Sequence, residues 1–137
     1  MKKKKPNIPQ LYVSLMDLVQ QYPVLVVDTL FYGPGMAMDL VNIRSRKIKR
    51  LIIIDKGNTW KNRFFILLHE VGHVFYLKKD NSLKLRKSLS TEKQANNTAI
   101  KILDLVEEHH DMSLAKEFVD FYNKLNKGTR RAKFIRE

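Results

Sequence analysis

The stretch that decides the fold lies in the middle of the chain and consists of Phe64-Phe65-Ile66-Leu67-Leu68-His69-Glu70-Val71-Gly72-His73. Five apolar residues precede the first histidine, which indicates a helix that enters the protein core. Residues four apart lie on one face of a helix, so His69 and His73 can point at the same place. Burying two imidazoles and the carboxylate of Glu70 is costly unless they have partners, and a metal ion is such a partner.

The pattern His-Glu-x-x-His on a helix is typical of zinc metallopeptidases. Both imidazoles reach one tetrahedral zinc, at about 2.0–2.1 Å per Zn–N bond. Glu70 then reaches the water that the zinc acidifies and takes its proton. We therefore predict one Zn²⁺ per chain, with His69 and His73 as metal ligands and Glu70 as the catalytic base. The alternative is a buried helix whose histidines only satisfy local hydrogen bonds.

Composition predicts one ordinary globular domain, since the chain has 137 residues, of which 44% are hydrophobic and 29% charged. We expect a disordered basic tail at residues 1–7, a single metallopeptidase domain at 8–128 and a basic C-terminal tail at 129–137. The chain has no cysteine, which excludes disulfides and cysteine-ligated zinc. Its apolar runs are far shorter than the roughly 20 residues that span a bilayer, so we expect a cytoplasmic protein without membrane contact.

The formal net charge is +12, and the basic residues fall in clusters at 2–5, 44–50, 78–87 and 127–136. Such clusters favour contact with nucleic acid, an acidic partner or an anionic surface. No recognition fold accompanies the charge. Two interpretations of the basic clusters therefore remain open. They either bind nucleic acid or form a basic surface that is only solvated.

Periodicity before the central stretch predicts an N-terminal amphipathic helix, with Pro9 in its first turn and Pro23 closing the segment. A small three-stranded sheet follows, antiparallel at its hairpin. Its predicted strands are Val24-Leu25-Val26-Val27, residues 36–44 (with a turn at 45–47) and residues 49–55.

Capping residues predict the later helices. Asn58 or Thr59 caps the zinc-binding helix, which we expect to run to about Leu77. A basic connecting loop follows at residues 78–87. Ser90 or Thr91 caps a third helix, and a fourth helix runs from about residue 113 to 126.

A third metal ligand is expected at the start of the third helix. Glu92 lies 19 residues beyond His73 and shares a helical face with Ala95 and Ala99. Small side chains on that face, and Gly72 on the zinc helix, indicate close packing of the two helices. A catalytic zinc needs three protein ligands and an open position, so Glu92 is the candidate. The alternative is an ordinary first-turn glutamate favoured by the helix dipole.

Two motifs in this region resemble those of the ImmA/IrrE family of zinc metallopeptidases. The family core Arg-x-Phe-x-x-x-His-Glu-x-Gly-His is matched from Arg63 to His73. The family's Glu-x-x-Ala-Asn-x-x-Ala is matched by Glu92, Ala95, Asn96 and Ala99. The resemblance covers roughly residues 9–106. It departs at Ile102-Leu103-Asp104-Leu105, where members commonly have a Leu-Leu-Met-Pro-like stretch.

The resemblance implies a minimal zincin-like (gluzincin) α+β domain: an N-terminal helix, a small sheet, the zinc-binding helix and two further helices. It implies Glu92 as the third zinc ligand and Asn96 as a residue that orients a ligand. It further implies cytoplasmic, site-directed proteolysis of a protein substrate. That substrate is often a helix-turn-helix repressor encoded beside the peptidase on a phage or mobile element.

Substrate contacts are expected along the edge of the small sheet, where an extended peptide adds as a further strand over residues 37–43. This predicts Ala37, Asp39 and Val41 as substrate-binding residues. Zinc sites of this kind usually have a second donor for the oxyanion. The available candidates for that donor are Tyr32, Tyr76, His109 and His110.

Two other functions remain open from the sequence. One is a DNA-associated zinc protease that acts on DNA-bound proteins, with His109 or His110 as third ligand. The other is a non-enzymatic basic nucleic-acid-binding module in which the zinc is structural.

Overall fold

The structure, a computed structural model, describes residues 5–30, 33–40, 49–110 and 113–128. Within these residues the chain is α+β, as predicted, with four helices and two small sheets. The elements follow in the order α1 (Ile8–Val19), β1 (Val24–Thr29), β2 (Gly35–Asp39), β3 (Arg50–Asp55), α2 (Trp60–Val74), β4 (Phe75–Leu77), β5 (Leu83–Leu85), α3 (Glu92–Glu107) and α4 (Leu114–Gly128).

The larger sheet has three strands in the order β1-β3-β2. β2 pairs antiparallel with β3, which confirms the predicted hairpin, and β1 pairs parallel with β3 on its other side. Alternate residues of the strands are buried, among them Val24, Val26, Ile52 and Ile54. This period of two is that of a sheet with one face on the core, and α2 packs on that face.

Helix α2 lies at the centre of the core. Every residue from Phe64 to Val74 is buried except His73, as expected of a helix that is apolar on nearly all sides. Thr59 caps its N-terminus by accepting a hydrogen bond from the backbone N–H of Asn62. The helix contacts α1, α3 and the strands β2 and β3.

The predicted end of this helix and the predicted connecting loop are both wrong. α2 ends at Val74, and the chain continues as β4, which pairs antiparallel with β5 within the supposed loop. Asn81, in the turn between these strands, adopts a left-handed backbone with φ 66°, a conformation that asparagine tolerates better than most residues. Strands of three residues are too short for their period of two to be distinguished from helical spacing.

The remaining helices agree with their predicted capping. Thr91 caps α3 in a reciprocal arrangement with Gln94, in which each side chain accepts a hydrogen bond from the other residue's backbone N–H. Leu114, Phe118 and Tyr122 of α4 are buried, as its apolar spacing predicts. No helix in the described ranges is both long and apolar enough to cross a bilayer.

Some predicted features lie outside the described residues. These are residues 1–4 of the N-terminal tail, the C-terminal tail at 129–137, Tyr32, and the distal part of the second strand with its turn at 41–47.

Helix α3 approaches α2 closely at Gly72. A Cβ atom built on Gly72 would lie only 2.2 Å from the backbone carbonyl oxygen of Ala95. Ala95 and Ala99 are fully buried at this contact. The close packing predicted from the glycine and the alanines is thus confirmed, and it brings the start of α3 to the last turns of α2.

We expect Gly72→Ala to lower the free energy of unfolding by about 1–2 kcal/mol. Alanine favours a helix by about 1 kcal/mol over glycine, but overpacking typically costs about 1–3 kcal/mol. Here the opposing atoms are backbone atoms, which cannot turn aside as the end of a side chain can, so the cost should be at the upper end. Urea unfolding followed by circular dichroism measures the change.

Gly57→Ala is the matched control, because a Cβ there would lie 3.2 Å from the Oδ1 atom of Asp55, the end of a side chain. Its effect should stay within about 0.5 kcal/mol. A Gly72→Ala variant as stable as the natural chain would show that the α2–α3 contact tolerates a methyl group.

Candidate metal centre

Helix α2 brings His69, Glu70 and His73 together in a group that can hold a metal ion. Their ligand atoms lie within 4.8 Å of one another. His69 and Glu70 are 1% and 4% exposed, while His73 is partly exposed at the helix end. The spacing of the two histidines on one helical face is therefore realised in the fold.

The first residue of α3 completes this group. The carboxylate of Glu92 lies with Oε2 2.7 Å from Nε2 of His69 and with Oε1 3.1 Å from Nε2 of His73. The two Nε2 atoms are themselves 3.2 Å apart. Ligand atoms of a tetrahedral zinc lie about 3.3 Å from one another, because each bond is about 2.0–2.1 Å. The spacing of these nitrogens and carboxylate oxygens fits such an ion.

The other nitrogen of each imidazole faces a hydrogen-bond acceptor. Nδ1 of His73 lies 2.9 Å from the carbonyl oxygen of Ser90, and Nδ1 of His69 lies 2.6 Å from Oδ1 of Asn96. A carbonyl oxygen only accepts hydrogen bonds, so both Nδ1 atoms carry the proton. The Nε2 lone pairs therefore point toward the centre of the cluster, which is the tautomer that binds a metal through Nε2.

Two imidazole nitrogens and a carboxylate thus converge on one small region, an arrangement that can hold a cation. Burial alone would raise the pKa of Glu92, yet its hydrogen bonds to both histidines hold that pKa far below its usual range. Burial alone would lower the pKa of His73, yet its hydrogen bond to Glu92 and the nearby carboxylates raise it above its usual value. Both directions arise from hydrogen bonds between the carboxylate and imidazoles that also carry a proton on Nε2, so a proton and a metal ion are alternative partners of this cluster.

The segment before α3 holds the last turn of α2 in place. Ser90 donates its backbone N–H to the carbonyl oxygen of His73 at 3.0 Å and its hydroxyl to that of Gly72 at 3.1 Å. Arg86 donates to the carbonyl oxygens of Gly72 and Phe75, and the buried Arg50 to that of Val74. Guanidinium groups at a helix C-terminus satisfy its unpaired carbonyls and oppose the helix dipole.

Helix α4 covers one side of the centre. The ring of Tyr122 stacks on that of His69, with centroids 4.5 Å apart and an interplanar angle of 22°. Ser90 is predicted only as an alternative helix cap, and Tyr122 is not among the predicted site residues. The apolar spacing that buried Tyr122 was the only available signal, and nothing in the sequence showed what its ring would touch.

The edge strand β2 begins beside Glu70. A Cβ atom built on Gly35 would lie 3.1 Å from Oε2 of Glu70 and 2.5 Å from a methyl group of Ile66. Only a residue without a side chain lets the strand pass this close to the carboxylate. Gly35 is therefore a site residue, and it is not among those predicted from the sequence.

The predicted substrate-binding residues lie on or near the edge strand β2. Ala37 packs partly against the core from β2, and Asp39 accepts a hydrogen bond from Nε of Arg50 at 2.9 Å. Val41 lies outside the described residues, as does Tyr32.

The remaining candidates for the oxyanion donor are not brought to the cluster. Tyr76 lies in β4 and not on α2, with its side chain 36% exposed. His109 and His110 follow the last residue of α3. At a rise of about 1.5 Å per residue they are roughly 25 Å along the helix axis from Glu92, which is too far for them to bind the same ion as Glu92.

Comparison with known proteins finds no matching family model, no matching curated protein and no matching solved structure. The resemblance to the ImmA/IrrE family therefore stays an expectation from the two motifs. The function must be argued from the geometry of the centre.

We expect Asn96→Ala to weaken divalent-metal binding by about 10–100-fold, the usual effect of removing a hydrogen-bond partner from a ligating histidine. Without the amide oxygen, the ring of His69 loses the contact that fixes its tautomer. Competition with a chromophoric chelator measures the affinity.

Asn97→Ala is the matched control, because Asn97 is an exposed neighbour on the same helix and should leave metal affinity unchanged. Equal affinity of the Asn96→Ala and natural proteins would contradict a role of Asn96 in orienting His69.

Proposed function

We propose that this protein is a zinc-dependent metallopeptidase of the zincin-like (gluzincin) type. The observation that supports the proposal is the convergence of the Nε2 atoms of His69 and His73 and the carboxylate of Glu92, at 2.7–3.2 Å from one another. These three side chains are proposed as the ligands of one Zn²⁺ per chain.

The donor set favours zinc over other common ions. Mg²⁺ and Ca²⁺ prefer oxygen ligands, whereas two imidazole nitrogens with one carboxylate are a known ligand set of catalytic zinc. Three protein ligands leave a fourth position open, as a catalytic centre requires. The partial exposure of the Glu92 side chain, at 30%, provides access to that position.

Glu70 is proposed as the general base. It adjoins His69 in the group that can hold a metal, but the carboxylate in hydrogen-bond contact with both Nε2 atoms is that of Glu92. When bound, zinc polarises a peptide carbonyl and lowers the pKa of a water ligand towards about 7. Glu70 accepts the proton of the attacking water and delivers it to the leaving amine.

The edge strand β2 is proposed to bind the substrate as an added strand. β2 pairs with β3 alone among the described strands, and its first residue, Gly35, lies against Glu70. A peptide that extended the sheet here would run past the carboxylate. Since Ala37 packs inward and Asp39 is engaged by Arg50, we propose that they contribute through their backbone.

The substrate class rests on the resemblance of the two motifs to the ImmA/IrrE family. On that basis we propose a regulatory DNA-binding protein, such as a helix-turn-helix repressor of a phage or mobile element, cleaved in the cytoplasm. The alternative of a DNA-associated protease with a third histidine ligand is less well supported, because His109 and His110 lie at the far end of α3 from Glu92.

We expect Glu70→Gln to retain zinc and to lose at least about 100-fold in hydrolysis, since a positioned base contributes typically 10²–10⁴-fold. The assay combines zinc analysis with cleavage of a co-expressed DNA-binding protein encoded beside this one. Glu108→Gln, at an exposed position after α3, serves as the control and should cleave normally. Full activity of the Glu70→Gln protein would refute the assigned base.

We expect about one zinc per purified chain, and we expect Glu92→Ala to reduce zinc affinity by more than the 10–100-fold that is typical of an outer partner. The joint replacement of His109 and His110 by alanine should leave affinity unchanged. The reverse pattern, with Glu92 dispensable and these histidines required, would support the DNA-associated protease instead.

A further inference from the structure

The β4–β5 hairpin has two unlike faces. Phe75, Leu77, Leu83 and Leu85 pack against the core. Tyr76 and Lys84 are directly opposite each other in the strand register, so their side chains share the outer face. Both are exposed.

Basic residues surround the tyrosine on this outer face. Side chains alternate along a strand, so Lys78 and Arg86 extend the same face as Tyr76 and Lys84. The guanidinium carbon of Arg86 lies 6.0 Å from the centre of the Tyr76 ring. Further along the chain, Lys79 lies in the turn and Lys87 follows β5; these two lysines, Lys78 and Lys84 are all exposed.

Negative charge on the hairpin is small and already engaged. Asp80 is the single acidic residue between positions 76 and 91. Its Oδ1 accepts hydrogen bonds from the backbone N–H and the hydroxyl of Ser82, at 3.1 and 2.6 Å. The lysines of the hairpin therefore act together as a cationic surface around one exposed aromatic ring.

We infer that this outer face binds single-stranded nucleic acid. Proteins that bind single strands combine aromatic side chains, on which bases stack, with basic groups that follow the phosphates. Tyr76 provides the ring and the four lysines provide the charge. An open depression of about 260 Å³ beside the tyrosine, lined in part by Lys87, Ser88 and Gln94, offers further polar groups to a base or a phosphate.

Other anionic partners fit this face less well. The apolar side chains of the hairpin point to the core, and Tyr76 is its one large exposed hydrophobic residue, so the hairpin has little to insert into a membrane. An acidic protein would use the lysines and not the ring. Duplex DNA keeps its bases stacked, so it cannot use the ring either. Base stacking on the ring combined with phosphate contacts to the lysines therefore favours a single strand.

The first test replaces Lys79, Lys84 and Lys87 together by glutamine. Binding of a fluorescein-labelled oligothymidine of about 20 nucleotides, followed by anisotropy, should weaken at least tenfold. The slope of log affinity against log salt should fall in magnitude by about 2, at about 0.7 per phosphate contact. The control replaces Lys56, Lys101 and Lys124, which are exposed outside the hairpin, and should lose less than threefold for the same change in net charge.

The second test isolates the ring. Tyr76→Leu keeps an apolar side chain but cannot stack, and it should weaken binding about fivefold or more, the lower limit for loss of one stacked base. Tyr76→Phe should bind within twofold of the natural protein. Circular dichroism confirms that each variant is folded, and the binding assay does not depend on hydrolysis.

Four results would overturn the inference. They are equal losses from the two triple-lysine variants, an unchanged affinity of Tyr76→Leu, duplex DNA binding as tightly as the single strand, and polyglutamate competing as well as the oligonucleotide at equal charge.

Discussion

The close contact between α2 and α3 at Gly72 determines where the ligands of the candidate metal centre lie. A side chain at this position would overlap the backbone of Ala95, so a larger residue would hold the two helices apart. Glu92 lies one turn before Ala95 on α3, and His73 adjoins Gly72 on α2. The carboxylate therefore reaches both imidazoles because the backbones touch, and the ligand geometry is a consequence of helix packing.

Burial of so many polar groups in the last turns of α2 requires that each has a partner. The carbonyl oxygens of this region accept hydrogen bonds from two arginines and from Ser90. The imidazole Nδ1 atoms are satisfied by Asn96 and by Ser90. The remaining polar atoms are the two Nε2 atoms and the carboxylate of Glu92, which face one another. A buried polar network of this kind stabilises the fold only if every member is satisfied, and a metal ion or a proton between the imidazoles and Glu92 would satisfy these.

The sequence predicted those parts of the fold that long periodic segments and strong caps specify. The α+β class, the three strands, the central helix and the capping of α3 by Thr91 are all found. The meeting of Glu92 with His69 and His73 followed from small residues at Gly72 and Ala95. The β4–β5 hairpin was missed because its strands are three residues long. The contacts of Tyr122 with His69 and of Gly35 with Glu70 depend on how elements distant in sequence pack together. The local sequence pattern does not predict such contacts.

The hairpin that the sequence did not predict also connects the two proposed functions. It connects His73 to Glu92, and its inner face adds apolar residues to the core, so its backbone position is tied to the metal centre. Arg86 links the hairpin to α2 and α3, because its guanidinium donates to the carbonyl oxygens of Gly72 and Phe75 and to the hydroxyl of Thr98. The exposed lysines and Tyr76 make no comparable contact with α2. The proposed nucleic-acid contacts therefore involve side chains other than those of the candidate metal centre.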